Sequence, residues 1–383
     1  MSRYILPFFD QDHLSLRERT REWVEETLFS PLEAESAVDQ RAVQIARELG
    51  VAGFLQYTVT QEFGGIRNRV QARDLCILRE ELARGDALAD AMFATQALGS
   101  YPINQLGGEL QKRGYLPNVA RGAAIAAFAI TEPEAGSDVA SMQTRALRQD
   151  DRFSITGLKR FISNAGIADF YVVFASVDPA KKAKGVSAFV VDAAAAGMVV
   201  KEKIEMLSPH PMGVVEFDNC IVEEHARLGK EGEGLPIAFA TLDLLRCTVG
   251  AAAVGLAQRA LEEAIQYSKS RRQFGRPIAE FQGIEFKLAK IATKLEAARL
   301  LVYQAAWAHD SENDDAKQKS SMAKLFSTEA AQRVVDQALQ IHGANGLIAG
   351  SVMERLYRDV RALRIYEGTS EIQKVIIARE LLK

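Results

Sequence analysis

The sequence lacks the features that mark secreted proteins. Its 383 residues include only three cysteines, Cys76, Cys220 and Cys247, which lie far apart along the chain and form no CxxC pair. Such cysteines are typical of a reducing compartment rather than of a disulfide scaffold. The N-terminal sequence MSRYILPFFD has no basic segment followed by a long apolar run, so no secretory signal is predicted. We therefore expect a cytoplasmic protein.

Long uncharged apolar runs and a surplus of basic residues are also missing. No stretch approaches the roughly 20 apolar residues that a membrane-spanning helix needs. Lysine and arginine together number 47 against 50 aspartate and glutamate residues, for a net charge of -3. A nucleic-acid-binding protein normally carries excess positive charge to meet phosphate. We expect no contact with membrane or nucleic acid, and we predict no metal site.

The spacing of apolar residues predicts helices, then strands, then helices again. Residues 1–121 show helical stripes such as 41–50 and 73–83, and Asp86 is a good cap for a further helix through Leu98. Residues 122–233 contain short segments rich in Val, Ile, Phe and Tyr, which are typical of strands. Residues 234–383 return to the helical period. The predicted strands are 152–155, 170–177, 186–191, 198–204 and 214–217, and the last helices are 235–270, 280–309, 320–343 and 370–382. This order predicts an α+β fold with an N-terminal helical domain, a middle β-sheet domain and a C-terminal four-helix bundle.

The segment Phe128-Ala-Ile-Thr-Glu-Pro-Glu-Ala-Gly-Ser-Asp138 is the most informative part of the sequence. A β-like apolar entry is followed by a hydroxyl, a proline-containing turn and a Gly-Ser pair. Hydroxyls and free backbone N–H groups suit the edge of a flavin ring and a pyrophosphate. A solvated turn between domains would explain the same residues. The later segment Lys159-Arg-Phe-Ile-Ser-Asn164 adds an aromatic ring and another hydroxyl on a strand.

These two segments resemble the flavin signature of the acyl-CoA dehydrogenase family. Further blocks that resemble the family follow in order: Asp243-Leu-Leu-Arg246, Arg271-Arg-Gln-Phe-Gly275, Gln340-Ile-His-Gly-Ala-Asn-Gly346 and Ile365-Tyr-Glu-Gly-Thr-Ser370. The resemblance spans nearly the whole chain. It implies an acyl-CoA substrate, one FAD per subunit of a homotetramer, and electron-transfer flavoprotein as the electron acceptor.

The resemblance also assigns roles to single residues. Glu367 matches the base that removes the α-proton of an acyl thioester while FAD takes a hydride from the neighbouring carbon. The family's FAD contacts fall on Phe128, Ile130, Thr131, Ser137, Phe161, Ser163, Arg271, Gln273, Phe274, Gln282, Gln340, Gly343, Ala344, Thr369 and Glu371. Its substrate contacts fall on Ser137, Asp243, Arg246 and Gly368. Phe161 and Ser163 stand where the family usually has Trp and Thr. His342 belongs to the cofactor turn and is not expected to be catalytic. Without the resemblance, Glu367 would be interpreted as an exposed residue between helices and Arg271 as part of a basic surface turn.

Two places depart from the family pattern. The linker Leu207-Ser-Pro-His-Pro-Met-Gly213 replaces a stretch in which Arg and Thr border the substrate or the flavin. Asp90 falls on the helix that lines the far end of the acyl pocket, where an unpaired carboxylate would be costly. Either Asp90 continues a solvated stripe with Asp86, or it is a second base. The second interpretation resembles the alicyclic branch, which oxidises cyclohexane- or cyclohexene-carboxyl-CoA; the alternative substrate is a short or branched linear acyl-CoA.

Other activities occur on scaffolds of this kind. An acyl-CoA oxidase passes its electrons to oxygen and commonly has an added C-terminal domain. A flavin monooxygenase usually lacks the base, whereas Glu367 is present. A non-enzymatic nucleic-acid-binding member would need a basic surface, which the acidic balance does not favour. A dehydrogenase is the prediction that these residues support best.

Overall fold

The computed structural model describes residues 8–29 and 38–383. The start of the chain, on which the absence of a secretory signal was judged, lies partly outside these residues. The structure divides into two compact units. The first unit contains the described part of 1–31 together with 71–90 and 243–383, and the second contains the described part of 32–70 together with 91–242. The domain boundaries at 121/122 and 233/234 stay a prediction.

The helices are α1 (Gln11–Thr27), α2 (Val38–Val51), α3 (Ala72–Gly85), α4 (Ala87–Leu106), α5 (Glu109–Ala120), α6 (Gly234–Ser270), α7 (Gln282–Asp310), α8 (Ala316–His342), α9 (Val352–Ala362) and α10 (Ser370–Leu381). Seven of the ten helices that the structure describes correspond to helical segments named from the sequence, and α1 and α5 lie in the region 1–121 that was predicted to be helical without further bounds. Asp86 caps α4 as predicted, since its carboxylate accepts a hydrogen bond from the Leu88 N–H at 2.8 Å. The end predicted for this helix, Leu98, is wrong, because α4 continues through Pro102 to Leu106. Helix α9 was not predicted.

The strands form one large sheet in the second unit. They are β1 (Ala126–Ala129), β2 (Arg145–Gln149), β3 (Arg152–Ser163), β4 (Phe170–Ser176), β5 (Val186–Asp192), β6 (Met198–Lys203), β7 (Met212–Glu223) and β8 (Arg227–Leu228). The order is β6-β7-β3-β2-β4-β5-β8, with β1 pairing parallel to β4. Residues 181–185 lie in the connection between the antiparallel strands β4 and β5. The α+β fold class, helical then sheet then helical, is confirmed.

A two-stranded hairpin follows α6 in the first unit. It pairs β9 (Arg272–Gln273) with β10 (Arg276–Pro277), and Phe274 at its tip has φ 51° and is 93% exposed. A large apolar side chain this exposed gains nothing from burial within its own chain. The hairpin therefore presents its side chains outward.

Helix α3 is held in the first unit by buried ion pairs. The Glu80 carboxylate accepts hydrogen bonds from Arg299 Nε at 3.0 Å and from the Tyr303 hydroxyl at 2.6 Å, and Arg17 Nη2 lies 3.1 Å away. The glycine at position 255 on α6 meets the same turn of α3, because a Cβ there would lie 2.1 Å from the Glu80 carbonyl oxygen. The backbones of α3 and α6 thus approach very closely at this point.

Among the described helices, one is long and apolar enough to pass a simple test for a membrane span. This helix is α6, with a mean hydropathy of 1.6 over its most apolar window, 78% of which is buried within the protein. Such burial is typical of the core helix of a globular protein. The helix also carries Asp243 and Arg246, which are discussed below.

Candidate active site

The turn between α9 and α10 presents Glu367 in a left-handed backbone conformation. Glu367 has φ 51°, and Gly368 after it has φ 90°. Few non-glycine residues adopt this conformation, and those that do are frequent at functional sites. Thr369 then caps α10, since its hydroxyl accepts a hydrogen bond from the Ile372 N–H.

The Glu367 carboxylate is buried among charged groups of the first unit. Its side chain is only 9% exposed, and Arg79 Nη1 lies 3.8 Å from its Oε1. Its Oε2 has no hydrogen-bond partner among the described residues. Burial raises the pKa of Glu367, and the cations Arg79 and Lys324 oppose this shift without cancelling it. A partly unsatisfied carboxylate with a raised pKa has the properties of a general base.

Arg79 connects Glu367 to Asp90. The Arg79 guanidinium is 1% exposed and forms a bidentate pair with the Asp90 carboxylate, with Nε–Oδ1 at 2.7 Å and Nη2–Oδ2 at 2.9 Å. Its Nη1 also donates to the Thr248 hydroxyl at 2.9 Å. Burial opposes the charge on Arg79, but Asp90 outweighs this effect and raises the Arg79 pKa. The guanidinium is therefore a permanent cation beside Glu367.

This pairing corrects one interpretation of Asp90. A solvated stripe with Asp86 is wrong, because the Asp90 side chain is buried. The desolvation cost expected for it is offset by Arg79, which supplies two charge-assisted hydrogen bonds. Both Asp90 oxygens are engaged in this pair.

Lys324 lies on the other side of the Glu367 turn. It is a fully buried residue of α8, and its ammonium donates hydrogen bonds to the carbonyl oxygens of Tyr366 and Gly368. Burial lowers the pKa of Lys324 to about 7, although Glu367 favours its charged form. Two carbonyls that flank Glu367 are thus bound by one side chain.

Asp243 and Arg246 form an ion pair one turn apart on α6. Arg246 is buried, and Asp243 also lies 3.9 Å from Lys317 Nζ. The resemblance assigned substrate contacts to both residues. Their contact with a substrate stays a prediction.

The first flavin-loop segment leaves β1 in the second unit. Phe128 packs against Phe174 with ring centroids 4.8 Å apart, Ile130 is buried and Thr131 is half-buried. A buried ion pair holds the start of the loop. Lys159 Nζ lies 2.9 Å from Glu132 Oε1 and also donates a hydrogen bond to the Ile130 carbonyl oxygen at 3.2 Å. Gly136 and Ser137 are exposed, and a Cβ at Gly136 would meet nothing within 4 Å. The loop is therefore fixed at its base and open at its tip.

Phe161 and Ser163 lie on β3 as predicted. The register of β3 against β7 shifts between Lys159 and Ile162, and Phe161 within this bulge has φ 57°. The bulge turns the Phe161 ring outward, so that it is about half exposed. An outward aromatic face, an accessible hydroxyl at Thr131 and an open loop fit the flavin of FAD.

The remaining predicted FAD residues lie at or near the ends of elements in the first unit, and all of them are exposed except Thr369, which is half-buried. They are Arg271, Gln273 and Phe274 in or beside the hairpin, Gln282 at the start of α7, Gln340, Gly343 and Ala344 at the end of α8, and Thr369 and Glu371 at the start of α10. Gly343 has φ 57° and ends α8. His342 stacks on Tyr267 with centroids 4.4 Å apart, and its Nδ1 lies 2.8 Å from the Ala338 carbonyl oxygen. These contacts agree with a structural role for His342. A guanidinium, amides and helix N-terminal N–H groups are donors that suit the phosphates and carbonyls of FAD.

Sequence reasoning missed Arg79 and Lys324. A signal was present in both cases. Arg79 interrupts the apolar stripe of α3 one turn after Leu75 and Cys76, so it had to be a buried charge. Lys324 lies among small residues one turn away in each direction, Ser320, Ser321, Ser327 and Thr328, which favour close packing around a long side chain.

Comparison with known proteins agrees with these features. Three family models match the chain: the N-terminal domain of acyl-CoA dehydrogenase over residues 10–123, the middle domain over 127–220 and the C-terminal domain over 232–382. An acyl-CoA dehydrogenase of Bacillus subtilis (strain 168) is 39% identical over 375 residues, which covers 97% of this chain and 98% of the relative. The caffeyl-CoA reductase-Etf complex subunit CarC of Acetobacterium woodii is 35% identical, with 98% of this chain and all (100%) of the relative covered.

Solved structures give the same result. Butyryl-CoA dehydrogenase from Megasphaera elsdenii superimposes with a TM-score of 0.90 at 32% identity, covering 98% of this chain and 99% of the other. The chain therefore belongs to the acyl-CoA dehydrogenase family, and it is a flavin-dependent oxidoreductase that acts on acyl-CoA with FAD as its cofactor.

Proposed function

We propose that Glu367 is the base that removes the α-proton of the acyl-CoA. The observation that carries this proposal is the buried Glu367 carboxylate, with one oxygen unpartnered among the described residues and a raised pKa. The α-proton of a thioester is far less acidic than a carboxylic acid in water, so the base has to be strengthened by desolvation. Bound FAD supplies the hydride acceptor.

The backbone of the same residue can stabilise the enolate. Within the described chain, the Glu367 N–H donates no hydrogen bond. A thioester carbonyl oxygen gains negative charge as the α-proton leaves, and a fixed N–H donor stabilises that charge. We propose that this N–H binds the thioester oxygen, and that Ser137, Asp243, Arg246 and Gly368 contact the CoA thioester. The FAD contacts assigned by resemblance belong to the same proposal.

The base is tested with Glu367→Gln. This variant keeps the shape of the side chain and removes its ability to take a proton. We expect FAD content to stay unchanged and anaerobic bleaching of the flavin by acyl-CoA to fall by about 1,000-fold or more, the scale on which removal of an essential catalytic group acts. Matched bleaching in Glu367→Gln and the unmodified enzyme would refute the assignment.

The acyl group is tested with a panel of linear, branched, dicarboxylic and cyclic acyl-CoAs. A cyclic substrate is the second candidate, because buried Asp90 is connected to Glu367 through Arg79. In oxidation of cyclohexene-carboxyl-CoA to a diene, Asp90 would take a proton from a remote ring carbon while a hydride leaves to FAD. The bidentate pair with Arg79 competes with this role, since a free base needs an available lone pair. The linear or branched alternative needs only Glu367.

Asp90→Asn separates the two roles when it is combined with Arg79→Met. If Asp90 is a second base, both Asp90→Asn and the double variant lose oxidation of cyclohexene-carboxyl-CoA while FAD stays bound. If Asp90 only neutralises Arg79, the single variant leaves a cation free to pair with Glu367, and the double variant regains turnover of a saturated acyl-CoA. Unchanged cyclohexene-carboxyl-CoA turnover in Asp90→Asn would end the second-base hypothesis.

Electron-transfer flavoprotein is the proposed electron acceptor. The name of the Acetobacterium woodii relative describes a complex with Etf, which supports this choice. A homotetramer is proposed because the exposed hairpin around Phe274 has the residues to reach the FAD of a neighbouring subunit. A cytoplasmic location is proposed from three buried cysteines without disulfides. Reduction of added electron-transfer flavoprotein tests the proposed electron acceptor, and mass measurement of the native protein tests the homotetramer.

A further inference from the structure

The conformation of the Glu367 turn needs external support. Two successive residues, Glu367 and Gly368, have positive φ values of 51° and 90°. Gly368 accepts this without a steric cost, but Glu367 does not. A left-handed conformation strains a non-glycine residue and persists only when the surrounding structure holds it. The groups that hold this turn therefore decide where the Glu367 carboxylate lies.

Lys324 makes the contacts that hold the turn. Its ammonium donates to the carbonyl oxygen of Tyr366, before Glu367, and to that of Gly368, after it. Gln373 of α10 adds two further hydrogen bonds from its Nε2, to the Gly368 carbonyl oxygen at 2.8 Å and to the Glu367 carbonyl oxygen at 3.5 Å. A hydrogen bond from a charged donor is about twice as strong as a neutral one, so Lys324 contributes the larger share at pH values below its pKa of about 7, where its ammonium is charged. Lys324 contacts the backbone of the turn on both sides of the base.

We propose that Lys324 is a positioning residue for proton abstraction: by binding the carbonyls of Tyr366 and Gly368 it fixes the left-handed turn and aims the Glu367 carboxylate. This inference rests on the proposal that Glu367 is the base. Lys324 does not touch the substrate in this role, and it acts only through the turn. A misplacement of about 1 Å at a reacting group can cost roughly 100-fold in rate, which sets the scale of the effect.

The charge of Lys324 has a second, separable effect on Glu367. The charged groups that face it are Glu367, Arg246 and Arg79. Burial raises the pKa of Glu367, and Asp90 raises it further. The cations Arg79, Lys324 and Arg246 lower it. Removal of the Lys324 cation therefore raises the Glu367 pKa, and the acid limb of the pH profile moves to higher pH. A residue that only packs α8 would not move this limb.

The experiment compares Lys324→Met with Lys319→Met in the FAD-loaded enzyme. Lys319 lies on the same helix and pairs at the surface with Asp315, so its variant controls for loss of a lysine from α8. Lys324→Met is expected to lower kcat by about 10- to 100-fold with KM within about 2-fold, and to shift the acid limb of kcat to higher pH. Lys319→Met is expected to leave both unchanged.

The outcomes separate this inference from the base assignment. Glu367→Gln is measured beside the lysine variants, and full activity in it would refute the base whatever Lys324→Met does. If Glu367→Gln is inactive, two results for Lys324→Met would overturn the role of Lys324 alone. The first is activity equal to that of Lys319→Met, and the second is a loss of activity with no shift in the acid limb of the pH profile of kcat. Lys324→Gln, which keeps N–H donors without charge, is the second variant. Failure of both Lys324 variants to retain FAD would favour a purely structural lysine and would also overturn the proposal.

Discussion

Removal of the Glu80 charge is expected to destabilise the first unit strongly. Burial alone would raise the pKa of Glu80, but Arg17 and Arg299, with the Tyr303 hydroxyl, lower it from 4.5 to about 2. A shift of this size corresponds to roughly 3 kcal/mol of stability at neutral pH. Glu80→Gln also removes the carboxylate that Arg17 and Arg299 share, so that each keeps only its second pair, with Glu81 and with Glu296. Removal of one partner of a buried ion pair costs about 3–5 kcal/mol. We expect a loss of this order in the free energy of unfolding.

The assay is thermal unfolding of the FAD-bound protein as a function of pH. Glu296→Gln is the control, because Glu296 pairs with the same Arg299 at 3.0 Å from a position that is 34% exposed. A pair at the surface contributes about 0–1 kcal/mol. The folded-state pKa of Glu80 is depressed, so its contribution is present above pH 4.5 and is lost as pH falls towards 2. The difference in melting temperature between Glu80→Gln and the unmodified protein should become smaller as the pH falls from 4.5 towards 2. Equal melting of the two glutamine variants at neutral pH would refute the reasoning.

Three further predictions concern the cofactor loop, the α3–α6 contact and the hairpin. Lys159→Met leaves buried Glu132 without its cation and is expected to lower the free energy of unfolding by about 3 kcal/mol. The variant should also release flavin faster on dilution, and tight FAD binding would contradict this prediction. Gly255→Ala sets a Cβ 2.1 Å from the Glu80 carbonyl oxygen and should cost about 1–3 kcal/mol in thermal unfolding, an effect that would be absent if the helices could simply separate. Phe274→Ala should change the stability of the isolated subunit by less than about 0.5 kcal/mol, because its side chain is exposed. It should still lower FAD retention and the mass of the native assembly, and unchanged values for both would show that the hairpin does not contact the cofactor.

Much of the fold could be predicted from the sequence, because apolar periodicity is a local signal. The strands 170–177 and 186–191 and the helices 235–270 and 320–343 match β4, β5, α6 and α8 closely. Helix α9 was missed although its segment from Val352 to Ala362 carries apolar side chains at a helical spacing, with Met353, Leu356 and Val360 buried. The extension of α4 beyond Leu98 passes through Pro102, which a local rule treats as an end.

The site was less predictable, because its electrostatics depend on contacts between distant segments. Glu367 could be identified by motif, but its left-handed backbone depends on Lys324, which lies 43 positions earlier in the sequence. Of the two alternatives for Asp90, the solvated stripe was wrong, because its partner Arg79 belongs to the preceding helix and could not be identified from α4 alone. A helical stripe shows which side of α4 is polar, but it does not show which charge faces that side.

The buried charges around Glu367 are synthesised before the turn that contains it. Arg79, Asp90, Arg246 and Lys324 all emerge from the ribosome before Glu367 does. Until the turn before α10 is made, Lys324 has no Tyr366 and Gly368 carbonyls to bind, and burying it would leave a cation unsatisfied. We therefore expect the helices around Lys324 to stay loosely packed until the last turns of the chain have been synthesised. A nascent chain halted before residue 366 should accordingly be sensitive to protease across α8, whereas one that has released α10 should resist it.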